Sequence, residues 1–131
     1  MLNKFWKYNI TWIVWLCLIT YLSNSKSSGI PQINFLNFKG ADKLVHAVFY
    51  FNLMILMSWG FRKQHNFFKL QANNLRIPFF FCIAWGGFME ILQLTIFTYR
   101  SAEWLDFFAN TTGALFAIII INGLWNSKKN S

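Results

Sequence analysis

Only four acidic residues occur in this chain, Asp42, Glu90, Glu103 and Asp106, and their positions are the first pointer to chemistry. Three of them sit at the margins of apolar runs, whereas Glu90 lies within one, seven positions before Phe97. That spacing puts it about 10 Å inside the end of a helix. A carboxyl at such depth in an apolar segment is expensive and must face protein or water. His46 follows Asp42 by one helical turn. A carboxylate there can fix the imidazole tautomer, an acid/base arrangement with His46 as general base, oriented by Asp42, and Glu90 as general acid. Each residue also has a structural reading. Asp42 and Asp106 suit helix starts, and His46, Gln93 and Asn110 suit hydrogen bonds between helices. Asp42, His46, Glu90 and Asp106 are metal-ligand types, but no HExxH or paired-histidine spacing accompanies them, so neither a metal nor a cofactor is expected. No GxSxG is present, and Cys17 and Cys82 lie far from the acids inside apolar runs, where they read as small buried hydrophobes. A chemical step would therefore use water or a substrate hydroxyl.

The elements that must carry these residues are membrane-spanning helices. Hydrophobic residues make up 56% of the chain and charged residues 12%, against about 25% charged in a soluble domain. With 16 Phe and 7 Trp, the aromatic surface exceeds what a soluble core of this length hides. The expected architecture is all-α: an integral membrane four-helix bundle forming one domain, with helices over residues 9–22, 42–61, 77–98 and 105–125. The first follows a basic start and reads as a retained helix rather than a signal peptide, because Ser23-Asn24-Ser25 is a poor cleavage site. Pro78 falls in the first turn of the third helix. Residues 23–41 and 62–75 read as loops, and the apolar segment 33–38 can dip into the interface.

A net charge of +8 does not imply nucleic acid here, because the cations lie between apolar runs. Lys4, Lys7, Arg62, Lys63, Lys69, Arg76, Lys128 and Lys129 fall on one side, and Lys26, Lys39, Lys43 and Arg100 on the other. The richer side is cytoplasmic by the positive-inside rule, giving an N-in/C-in protein. Trp6, Trp59 and Trp125 then mark the inner interface, and all four acids belong to the outer half.

Helical periodicity aligns the polar residues. Asp42, His46 and Leu53, with Tyr50 beside them, share a stripe on the second helix. Gly86, Glu90 and Gln93 share one on the third, and Asp106, Asn110, Gly113 and Ala117 one on the fourth. Bundled with those faces inward, the helices would enclose an outer-facing polar pocket with Glu90 at its floor, and the first helix would form an apolar wall.

These segments, DKLVHAVFYF from Asp42, GGFMEILQ from Gly86, Tyr99-Arg100 and DFFANTTGA from Asp106, resemble the VanZ-like membrane family. The positions filled are Asp42, Lys43, His46, Glu90, Gln93, Arg100, Asp106, Asn110 and Gly113. The resemblance implies a multi-pass protein of the bacterial cytoplasmic membrane, in a family whose founding member is linked to resistance to the glycopeptide teicoplanin. It supplies the cell envelope as context rather than a mechanism. The partners expected are the lipid bilayer and an anionic lipid or lipid-linked envelope precursor. Lys39, Lys43 and Arg100 would hold its phosphate, and Glu90, Gln93 and Asn110 its hydroxyls or amides. The alternatives are an acid/base enzyme acting on such a substrate and a purely structural bundle.

Overall fold

The computed structural model describes residues 2–25, 40–97 and 103–129, and all the regular structure among them is helical. Five helices follow in order: α1 (Leu2–Asn24), α2 (Ala41–Arg62), α3 (Phe68–Ala72), α4 (Arg76–Thr95) and α5 (Trp104–Lys129). Gly40 precedes α2 with φ 98°, a left-handed conformation that suits glycine, and Asp42 then lies in the first turn, where negative charge complements the helix dipole. Pro78 stands third in α4, among the N–H groups that have no intrahelical acceptor, so its missing donor breaks no hydrogen bond.

Among the described residues, three helical segments are long and apolar enough to cross a membrane: Ala41–Arg62, Arg76–Thr95 and Trp104–Ser127. The 22 residues of α2 extend about 33 Å, the thickness of a hydrocarbon core. Although α1 has a comparable length of 23 residues, it is diluted by Lys4, Lys7, Asn9 and Thr11 and falls outside this set. It also starts earlier than its apolar run, because backbone hydrogen bonding does not stop where hydrophobicity does. The five-residue α3 lies inside the basic loop and has no counterpart in the sequence reading.

The helices pack through small residues. The main seam joins α2 to α5, with α4 closing against α5 and α1 against α2. Gly113 makes the seam close: a Cβ there would run into the backbone of Ala47. Gly60 does the same between α2 and α1, where an added Cβ would stand 2.6 Å from the Tyr8 carbonyl oxygen. Ile19, Tyr50, Leu53, Met54, Cys82, Ala114 and Ala117 form the buried core. Val14, Phe80, Leu94, Leu105, Phe108 and Ile119 are exposed on the outside, as side chains facing lipid would be.

Two expectations shift. Cys82 is buried but Cys17 is exposed, because α1 covers only one side of α2 and turns its other side outward. Nor is α1 an apolar wall. Asn9 is fully buried, donating to the Phe5 carbonyl at 3.0 Å and accepting from Trp12 Nε1 at 2.7 Å. Trp15 Nε1 also donates across to the Phe49 carbonyl of α2 at 3.0 Å. At the end of α2 that carries Arg62, the guanidinium lies 3.9 Å from the Trp125 ring centre, and Lys63 Nζ lies 3.9 Å from that of Trp59.

Candidate functional site

The three polar stripes are turned inward. Buried on them are His46 and Tyr50 of α2, Gly86, Glu90 and Gln93 of α4, and Asp106, Asn110, Gly113 and Ala117 of α5. Asp42, at the start of α2, keeps a half-exposed side chain. Six polar residues gather at the end of the assembly where α2 and α5 begin: Asp42, Lys43, His46, Glu103, Asp106 and Asn110.

Lys43 organises the outer part of this cluster. Its ammonium pairs with the carboxylate of Glu103 and lies 3.1 Å from Asp106 Oδ1 and 3.5 Å from Asp42 Oδ2. Three carboxylates around one ammonium leave an excess of negative charge. They also occupy the cation that was expected to hold a phosphate.

His46 organises the inner part. Its Nδ1 is 3.1 Å from Asn110 Oδ1, across the α2–α5 seam. An amide oxygen only accepts, so Nδ1 carries the proton and donates, leaving Nε2 free of that role. Nε2 faces the other oxygens of the same two aspartates, Asp42 Oδ1 at 3.9 Å and Asp106 Oδ2 at 3.8 Å. Both separations exceed hydrogen-bond length. The residue that orients the imidazole is thus Asn110, with Asp42 standing at the opposite nitrogen. Asn110 is itself confined by α4, since its Nδ2 would lie 3.2 Å from a Cβ at Gly86.

Glu90 joins the cluster through the backbone. Its Oε2 accepts from the Glu103 N–H at 3.1 Å, tying the body of α4 to the start of α5. Its Oε1 is buried with no hydrogen-bond partner among the described residues. Gln93 points elsewhere: its Nε2 donates to the Ser23 carbonyl of α1 at 3.1 Å, as a tie between helices. Arg100 and Lys39 lie outside the described residues, as does the segment 33–38.

Glu103 is the residue that the sequence reading left out of the site. It pairs with Lys43 through its side chain and with Glu90 through its N–H. The available signal was its membership in a set of only four acids.

Beside the cluster, on the outward side of the same seam, runs a groove of about 340 Å³ lined by Leu44, Ala47, Val48, Phe51, Gly113 and Phe116, with Thr112 at its edge. Its α2 residues begin two positions after Asp42, and Gly113, where the two backbones come closest, lies in its floor.

A protein-family model described as VanZ/LLP1 matches residues 3–126, nearly the whole chain. No curated protein matches the chain, and no solved structure does.

Proposed function

Because this chain belongs to the VanZ/LLP1 family, we propose that it is a multi-pass protein of the bacterial cytoplasmic membrane that holds the headgroup of a lipid or lipid-linked envelope precursor. In this reading α1, α2, α4 and α5 all cross, with both termini cytoplasmic and the Asp42–Asp106 cluster in the outer half. The supports are the three apolar spans and the basic residues grouped with Trp59 and Trp125 at the opposite end.

The observation that carries the headgroup reading is the juxtaposition of cluster and groove on one helix pair. Asp42 and Asp106 stand at the head of the α2–α5 seam, and the apolar groove from Leu44 to Phe116 follows further along the same two helices on their outward side. A lipid set against this seam would place its polar part at the cluster and an acyl chain in the groove. The charge balance refines the contact. Lys43 is already surrounded by carboxylates, so Asp42, Glu90 and Asp106 would meet hydroxyl, amide or ammonium donors of the headgroup. A phosphate would be left to Lys39 and Arg100.

Native mass spectrometry of the protein released from lipid bilayers tests this reading. Retained phospholipid or lipid-linked precursor should fall at least about tenfold when Val48→Trp fills the groove. Arg100→Ala should reduce retention of anionic lipids selectively. Equal retention by the wild type and both variants would remove the reading.

A further inference from the structure

The two aspartates of the cluster are divided in a way that the salt bridges to Lys43 do not explain. Asp42 Oδ2 and Asp106 Oδ1 face the Lys43 ammonium, at 3.5 and 3.1 Å. Their second oxygens, Asp42 Oδ1 and Asp106 Oδ2, face away from it and toward His46 Nε2, at 3.9 and 3.8 Å. Lys43 therefore balances one edge of each carboxylate, and the other edges converge on an imidazole nitrogen.

That nitrogen has no hydrogen-bond partner among the described residues. Asn110 Oδ1 accepts the hydrogen bond from Nδ1–H, so Nε2 is the ring nitrogen whose lone pair is available beside two carboxylate oxygens. The His46 side chain is 6% exposed and that of Asp106 is 4% exposed, so water screens this opposition poorly. One lone pair and two carboxylate edges held this close together favour a positive charge between them.

We infer that Asp42, His46 and Asp106 form a binding site for one divalent transition-metal ion of the Zn²⁺ or Mn²⁺ class. One ligand atom from each of the three residues lies within 4.8 Å of the other two. Bonds of about 2.1 Å to a tetrahedral ion set its ligands about 3.4 Å apart, so each side chain moves by well under an ångström to close on the metal. One imidazole with two carboxylate oxygens suits these ions better than Ca²⁺ or Cu⁺. The hydrogen bond from Nδ1 to Asn110 is the outer contact that commonly fixes a metal-binding histidine in its ring orientation. Two aspartates neutralise the ion, and the half-exposed Asp42 side chain gives it a route from water.

Three protein ligands leave a further coordination position, directed away from the ring and available to water or to an oxygen of a bound molecule. The sequence offers these three among four ligand types but no recognised ligand spacing. Asp42 and His46 are one turn apart, but the third ligand comes from a different helix, 60 residues after His46. The inference goes beyond headgroup binding and does not depend on it, because ion binding is read without lipid.

The test uses the full chain, purified in a non-ionic detergent, stripped with a chelator and titrated with Mn²⁺ under electron paramagnetic resonance. The expected result is one ion per chain, displaced by Zn²⁺, with nitrogen coupling from an imidazole in the pulsed spectrum. Asp42→Asn, at the exposed ligand, should retain wild-type helicity and weaken Mn²⁺ at least about tenfold. His46→Gln should abolish the nitrogen coupling, and His65→Ala should change nothing. Absence of stoichiometric binding by the wild type would overturn the inference. Binding that Asp42→Asn leaves within about twofold, or that shows no nitrogen coupling, would overturn it equally.

Discussion

His46 Nδ1 donates to Asn110 Oδ1 across 3.1 Å, joining α2 to α5 through two residues that are 5% and 2% exposed. A polar contact between helices contributes only about 0.6 kcal/mol on average in membranes, because the separated helices find other partners. Losing one member of a buried pair costs more, since the other is left desolvated and unpaired.

Asn110→Ala is therefore expected to lower the stability of the α2–α5 pairing by about 1–3 kcal/mol. His46→Ala in that background should add less than it does alone. Thermal unfolding in detergent or steric trapping in bicelles gives the double-mutant cycle. Additive effects would show that the two side chains do not share an interaction.

Gly113 sets how near the two backbones come. A methyl group there meets the Ala47 backbone, which cannot move aside as a side-chain tip would. Gly113→Ala should destabilise by about 1–3 kcal/mol through overpacking, and Gly113→Leu by more. Gly123 is in the same helix with nothing within 4 Å of an added Cβ, so Gly123→Ala should be neutral or stabilising by up to about 1 kcal/mol. The contrast separates contact from helix propensity in a single unfolding assay.

Lys43 is set among three carboxylates, one of them nearly fully buried. Lys43→Met keeps the aliphatic stem and removes the charge. It should destabilise by about 1–3 kcal/mol, less than a fully buried pair would, because the Lys43 side chain is 29% exposed. Adding Asp106→Asn should restore part of the loss, since the buried charge that Lys43 compensates is then gone. Failure of the second substitution to rescue would place the main partner at Glu103, which a Lys43→Met, Glu103→Gln pair then checks.

What could be read from sequence divides along a physical line. The inward stripes, such as His46–Tyr50 and Glu90–Gln93, follow from the period of one helix and from the cost of polar groups in lipid. Both forces act within a segment. Which partner each residue meets depends on the register between segments, and no local pattern encodes that. Hence Asn110 at Nδ1 of His46, Glu103 on Lys43 and Ser23 on Gln93 were out of reach. The same limit left Asp42, His46, Glu90 and Asp106 as four ligand types without showing which three of them converge. The start of α1 and the existence of α3 were missed for another reason: hydrophobicity marks what faces lipid, and helical hydrogen bonding extends into polar sequence without it. Four crossings were expected from apolar runs alone. The polar content of α1 keeps it apart from the three spans that meet the criterion in full.

Glu90 distinguishes a structural role from a working one. Its Oε2 accepts from the Glu103 N–H at 3.1 Å, and its Oε1 is buried without a partner. Glu90→Gln keeps an acceptor for that N–H and removes the charge, so it should fold with a stability within about 1 kcal/mol of the wild type. Glu90→Leu removes the acceptor as well, but it also replaces a costly carboxyl with a side chain that lipid and core both tolerate. The two effects oppose each other, and Glu90→Leu should be no more than about 2 kcal/mol less stable. On these expected values folding would not require the carboxyl. If Glu90 serves only to join α4 to α5, both variants should retain lipid as the wild type does. If it meets a donor of the headgroup, Glu90→Leu should release lipid at least about fivefold more readily at unchanged helicity, with Glu90→Gln between the two. Lipid retention measured on correctly folded protein decides between these outcomes, and a fall confined to Glu90→Leu and Glu90→Gln, with Gln93→Leu unaffected, assigns the contact to this carboxyl rather than to the helix that carries it.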